Sequence, residues 1–109
     1  MGKFEINKDN AGELRFNLKA ANGQVILSSE GYTTKAACDN GIESVRKNSQ
    51  DDAKFERKVA KNGKHHFNLK AGNGQVIGSS QMYADTSGME NGISSVATNA
   101  PDASVEDNS

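Results

Sequence analysis

Apolar and polar side chains alternate along Leu14-Arg15-Phe16-Asn17-Leu18-Lys19-Ala20, and the alternation returns 51 positions later along His65-His66-Phe67-Asn68-Leu69-Lys70-Ala71. A period of two predicts a strand with one apolar face and one wet face. Each run then meets Asn-Gly and resumes as Val25-Ile26 or Val76-Ile77. Asn-Gly between two such runs predicts a β-hairpin, here a two-residue type I′ turn over Asn22-Gly23 and again over Asn73-Gly74. That turn places Ala20 opposite Val25 and Leu18 opposite Leu27. Opposed side chains share a face, so Val25 and Leu27 join Phe16 and Leu18 in the core, and Ile26 falls beside Lys19 on the polar face. A loop longer by one residue reverses the assignment.

Lys3-Phe4-Glu5-Ile6-Asn7-Lys8 alternates in the same way and predicts an earlier strand, ended by the turn cluster Asp9-Asn10-Ala11-Gly12. After Tyr32, Thr33 or Thr34 suits a helix N-cap. The stretch Lys35–Lys47 follows as a helix, with Cys38, Ile42 and Val45 on one stripe and Arg46 and Lys47 at the end where cations favour the macrodipole. Gly41 costs this helix roughly 1 kcal/mol against alanine. The stripe stays in phase through it, which predicts an intact helix lying close on the sheet. Gly92 repeats the arrangement.

Phe4 to Asn48 aligns without gaps on Phe55 to Asn99 with about half the positions identical, so the chain is an internal duplication. The second helix carries Asp85-Thr86-Ser87-Gly88 for Thr34-Lys35-Ala36-Ala37, which predicts a late start or fraying. A third, partial match, Asp102-Ala103-Ser104-Val105-Glu106 to Asp51-Asp52-Ala53-Lys54-Phe55-Glu56, puts a strand-like segment after each helix. Phe55 then serves the first unit and opens the second. Units of about 45 residues are marginal alone, and one sheet with a common core resolves that. The prediction is an α+β fold. A single antiparallel sheet from the two tandem units carries two helices on one face. One domain spans residues 1–109, with repeats over about 3–52 and 54–106 sharing edge strands and a disordered tail at 107–109.

The twice-written pattern Phe-x-Leu-Lys-Ala-x-Asn-Gly-Gln-Val-Ile, Ser-Ser, Tyr, Asn-Gly-Ile-x-Ser-Val and Asn resembles the YegP-like (UPF0339) family of small bacterial proteins, over essentially the whole chain. The resemblance implies tandem β(3)-α-β units in one sheet with swapped C-terminal strands, an architecture that single-repeat relatives would reach by dimerising. It implies no reaction.

With 13 basic against 14 acidic residues, no gross charge draws the chain to nucleic acid or an anionic membrane. A single cysteine, Cys38, excludes an internal disulfide and a cysteine zinc cluster. The start has no long apolar core, and no apolar run nears the ~20 residues that span a bilayer. A cytoplasmic, reducing setting is the expectation.

Candidate chemistry reduces to structure at most positions. Gly72-Asn73-Gly74-Gln75-Val76-Ile77-Gly78 superficially resembles a dinucleotide fingerprint, but its last glycine is one residue too far and the stretch joins two strands. His65-His66 are adjacent on a strand and point to opposite faces. Cys38 lies on an apolar stripe where the second copy has Met89, as a packing cysteine would. Asn40 and Asn91 read as helix-face amides bonded to a loop or strand edge. No cofactor, metal or catalytic residue is predicted, and no polar triad recurs in both copies.

What remains is the sheet face opposite the helices. Arg15, Asn17, Lys19 and Ser28 with His66, Asn68, Lys70 and Ser79 should project there as a polar, locally basic surface. It can hold an acidic partner or phosphates, or keep the sheet soluble. Sheet-based RNA readers add exposed aromatics, whereas Phe16 and Phe67 belong to the core. The expectation is a monomeric, non-enzymatic binding or accessory protein of unknown partner. Nucleic-acid binding through the open face is the alternative.

Overall fold

A computed structural model describes residues 2–109; Met1, counted in the expected domain, lies outside them. The chain runs β1 (Lys3–Lys8), β2 (Leu14–Lys19), β3 (Val25–Ser28), α1 (Lys35–Asn48), β4 (Phe55–Val59), β5 (His65–Lys70), β6 (Val76–Ser79), α2 (Thr86–Asn99) and β7 (Ser104–Asp107). All seven strands form one sheet in the order β4-β5-β6-β3-β2-β1-β7, so the fold is α+β with the two repeats meeting at β3 and β6. The meeting point is a direct pair, Ser28 opposite Ser79.

The core lies between one sheet face and the helices. Phe4, Phe16, Leu18 and Leu27 from the first repeat and Phe67 and Leu69 from the second are fully buried, under Cys38 and Val45 of α1 and Val96 of α2. Phe4 meets Phe16 edge to face at 5.6 Å, and Phe55 meets Phe67 in the same way at 5.6 Å, a favoured aromatic geometry. Each helix packs on strands of both repeats, α1 on β2, β5 and β6, and α2 on β3 and β5. Neither half therefore has a private interior.

The sheet is mixed rather than wholly antiparallel: among the described residues five neighbouring pairs are antiparallel, and β7 runs parallel to β1. The reason is where α2 ends. Asn99 lies against Gly2, just before β1, so the chain enters the sheet at the start of β1 and runs in the same direction. The exchange of C-terminal strands is one-sided. After α1 a short 3-10 turn, Asp52–Lys54, turns the chain into β4 itself, and among the described residues no reciprocal strand lies outside β4. The expected disordered tail at 107–109 is corrected at its first two residues. Asp107 ends β7, and the Asn108 N–H donates to the Ile6 carbonyl oxygen at 2.8 Å.

The hairpin turns differ from the expected type I′. Gly23 and Gly74 have φ of 85° and 86°, while Asn22 and Asn73 do not take positive φ. The Ala20 N–H donates to the Gln24 carbonyl oxygen, so the loop is three residues, Ala21-Asn22-Gly23. Val25 consequently faces Lys19 on the polar side, and a register shift then restores Leu18 opposite Leu27. Ile26, inserted at that shift, is buried rather than on the polar face. The longer loop and the bulge offset each other.

The second helix neither starts late nor frays. Asp85 replaces Thr34 as N-cap, accepting from the Gly88 N–H at 2.7 Å where Thr34 accepts from Ala37 at 3.1 Å. Gly41 and Gly92 admit tyrosine rings rather than sheet backbone, since a Cβ at either would strike the hydroxyl of Tyr32 or Tyr83.

Candidate binding face

The face opposite the helices carries an unbroken polar row with one residue from every strand. Register pairs link Glu106 to Glu5, Glu5 to Asn17, Asn17 to Ser28, Ser28 to Ser79, Ser79 to Asn68 and Asn68 to Glu56. The row reads nearly the same in both directions because the duplication places Ser28 and Ser79 at its centre. Strand alternation puts it on this face: Phe4, Phe16 and Phe67 are buried in the core, so their neighbours Glu5, Asn17 and Asn68 turn outward.

All the predicted face residues converge here, but their charge is not free. Lys19 lies 3.2 Å from Glu5 and Lys70 2.9 Å from Glu56. Arg15 lies 2.7 Å from Asp9 and also donates to the Ser29 carbonyl oxygen at 3.4 Å. The expected basic character of Arg15, Lys19 and Lys70 is thus corrected to a set of matched pairs. Hydrogen bonding to Lys19 holds the Glu5 carboxyl below the usual glutamate range, and Lys70 does the same for Glu56. The Arg15 guanidinium lowers Asp9, which also accepts from the Glu13 and Ala11 N–H groups.

Uncharged donors and acceptors occupy the centre. The Ser79 hydroxyl donates to Asn68 Oδ1 at 2.7 Å, and Asn68 Nδ2 donates to Glu56 at 3.3 Å. Asn17 and Ser28, their counterparts, make no side-chain hydrogen bond among the described residues and offer theirs outward. A groove of about 540 Å³ opens beside them between Arg15, Ser28, Glu30 and Ser79. His66 stands opposite Lys58. The arrangement can hydrogen-bond a partner across several strands.

Glu5, Glu56 and Glu106 are the residues of this row that sequence reasoning missed, although Glu5 and Glu56 recur in the duplication. The signal was the alternation itself, which sets Glu5 on the face opposite Phe4. Elsewhere, Cys38 is buried and burial pushes its thiol up, as expected of a packing cysteine. His65, the first residue of β5, pairs with Tyr83. Asn40 and Asn91 are exposed and make no side-chain hydrogen bond among the described residues, unlike the expectation. Among the described residues, no group of three or more His, Cys, Asp or Glu is placed to hold a metal ion and no helix is long and apolar enough to cross a membrane.

Residues 9–56 and 60–107 each match a domain of unknown function, DUF1508. Each window ends on a strand segment that follows a helix: the start of β4 in the first, β7 in the second. The chain is 59% identical over 104 residues to the UPF0339 protein in the ptx operon 5′ region of Stutzerimonas stutzeri, covering 95% of this chain and 94% of that one. It is 51% identical over 107 residues to the UPF0339 protein YegP of Escherichia coli (strain K12), covering 98% and 97%. The solution NMR structure of yegP from E. coli, described as a protein of unknown function, superposes with a TM-score of 0.94 at 51% identity, covering 98% of this chain and 92% of that one. That of a UPF0339 protein from Shewanella oneidensis gives 0.92 at 49% identity, covering 97% and 90%.

Proposed function

The chain belongs to the DUF1508 family in its two-repeat UPF0339 form, and from that membership and the open face we propose that it is a small, monomeric, non-enzymatic binding or accessory protein of the cytoplasm. Its partner is gripped by hydrogen bonds along the polar row. The observation that carries this reading is the row itself, continuous across seven strands, with Asn17 and Ser28 unengaged at its centre. Matched ion pairs on either side give the surface directionality without net attraction, which favours a partner recognised by shape and hydrogen bonding.

Affinity capture from native extract with the wild-type chain and with an Asn17→Leu, Asn68→Leu variant tests it. A partner held by the wild type and lost by the variant is the expected result. Partners retained equally by both would remove the face from consideration. The rival reading, nucleic-acid binding, draws less support because Arg15, Lys19 and Lys70 each face a carboxylate. It predicts a mobility shift at low salt that disappears when these three become alanine.

A further inference from the structure

β1 and β4 occupy equivalent places in the two repeats, yet among the described residues only β1 has a neighbour on its outer side. β7 lies there with Phe4 opposite Val105, Glu5 opposite Glu106 and Ile6 opposite Asp107. It is a short acidic strand with one valine, and lysines hold it: Lys3 is 3.4 Å from Glu106 and Lys35 is 2.9 Å from Asp107. The equivalent stretch after α1 is used to build β4, so the matching place beside β4 is open.

The outer side of β4 carries main-chain groups without a ladder. Phe67, opposite Arg57, exchanges its bonds with Ser80, and His65, opposite Val59, exchanges its bonds with Tyr83. Strand alternation therefore turns the N–H and C=O of Arg57 and Val59 away from β5. The side chains at this corner also depart from the first repeat. Lys58, Val59, Lys61 and Lys64 stand where Asn7, Lys8, Asn10 and Glu13 stand. Val59 is 64% exposed. Lys61 and Lys64 have no carboxylate in ion-pair reach among the described residues, and the one contact of Lys58 is 3.8 Å, to a Glu56 that Lys70 already holds. Both hairpins turn on a glycine at the same φ, 84° at Gly12 and 83° at Gly63, so the fold itself does not require these lysines.

We propose that the outer edge of β4, Phe55–Val59, accepts an extended acidic segment of a partner protein, added parallel to β4 as β7 is added to β1. Main-chain bonds to Arg57 and Val59 supply the attachment, as in other strand-addition complexes. Carboxylates of the guest meet Lys58 and the Lys61–Lys64 turn, and an aliphatic side chain covers Val59. The Arg57 side chain stays with Glu90 at 2.6 Å and Asp52 at 2.9 Å and contributes only its backbone. A protein guest suits the edge better than a nucleic acid, because the exposed apolar group is aliphatic and single-strand readers rely on aromatic stacking.

The test is a titration of the ¹⁵N-labelled full chain with a synthetic peptide of the sequence Ala103–Asn108 at low salt. Saturable shifts of the Arg57, Lys58 and Val59 amides are expected. Replacing the peptide's Glu and Asp by Lys should weaken binding about tenfold or more. Val59→Pro removes an outward N–H while leaving the pairing with β5; it should weaken binding about tenfold with the rest of the spectrum unchanged. Four results would overturn the proposal: no shifts at millimolar peptide, shifts at Phe4 and Ile6 instead (exchange of the resident strand), concentration-dependent shifts of β4 without peptide (a second copy), or shifts of these amides by an oligonucleotide but not by the peptide.

Discussion

Leu27 fills the space that a side chain at Gly78 would need: a Cβ there would lie 2.7 Å from Leu27 Cγ and 2.8 Å from Cδ2. The two positions are equivalent in the duplication, one on β3 and the other on β6, next to the Ser28–Ser79 pair. Two leucines cannot share the junction, so one copy keeps the side chain and the other gives it up. The contact ties the repeats into one interior.

Gly78→Leu should therefore destabilise the chain by about 1–3 kcal/mol, the usual cost of overpacking. Leu27→Gly should cost about 2–5 kcal/mol through the cavity it leaves, and roughly 1 kcal/mol more for a glycine in a strand interior. The double exchange Leu27→Gly, Gly78→Leu moves the side chain across the junction and should recover a large part of the loss. Urea unfolding of all four chains measures the coupling, and additive losses would show that the two positions do not share one space.

Tyr32 lies stacked on Phe16 at 6.1 Å and over Gly41, and Tyr83 lies on Phe67 at 6.4 Å and over Gly92. Alanine at Gly41 gains roughly 1 kcal/mol of helix propensity but collides with the tyrosine. A net loss of about 1–2 kcal/mol is expected. In the Tyr32→Ala background the same change at position 41 should become stabilising, which thermal unfolding of the two single variants and the double variant resolves.

Phe16 and Phe67 are fully buried, each between a second phenylalanine and a tyrosine. Truncation of either to alanine should cost about 3–5 kcal/mol. Equal losses at the two positions, read from denaturant midpoints, would follow from the equivalence of the halves.

Gly23 holds φ of 85° with open space where a Cβ would stand, so conformation alone decides its replacement. Gly23→Val should lose more than Gly23→Ala, and the alanine variant about 1–2 kcal/mol. Amide shifts should move in the Ala20–Val25 loop and stay in place across β1.

Glu5, Glu56 and Asp9 all titrate below their ordinary values in the folded chain, chiefly through hydrogen bonds to Lys19, Lys70 and Arg15. A depressed folded value adds stability above the unfolded value and loses it as the pH falls through the folded one. Stability should hold at neutral pH and decline as the pH drops through 4.5, the ordinary glutamate value. Urea midpoints across that range should show a shallower decline for Glu56→Gln.

Several features were legible in the residue order. Alternation marked β2 and β5, the repeat of 51 positions exposed the duplication, and the partial match at Asp102–Glu106 announced β7. These are local or periodic signals, and backbone geometry converts them directly into faces. The turn at Gly23 was legible only as a turn. One extra residue in the loop and a compensating bulge reversed Val25 and Ile26, and no pattern in four residues distinguishes that from a two-residue turn. The end of α2 at Gly2 was not legible at all, and with it the parallel entry of β7.

The candidate face was legible in membership but not in charge. Asn17, Lys19, Asn68 and Lys70 could be assigned to it from alternation. Which carboxylate reaches which lysine depends on how neighbouring strands are offset, and that offset set Glu5 beside Lys19 and Glu56 beside Lys70.

The chain's own order determined two hairpin-and-helix units, their apolar faces and their need for each other, because alternation, capping and repetition act over a few residues and survive any tertiary context. The three-dimensional packing alone decided that the exchange of strands is one-sided, that Leu27 rather than its counterpart fills the junction, and that the open face is balanced rather than basic. Those outcomes depend on contacts between residues far apart in sequence, where space and charge are settled only once both halves are in place.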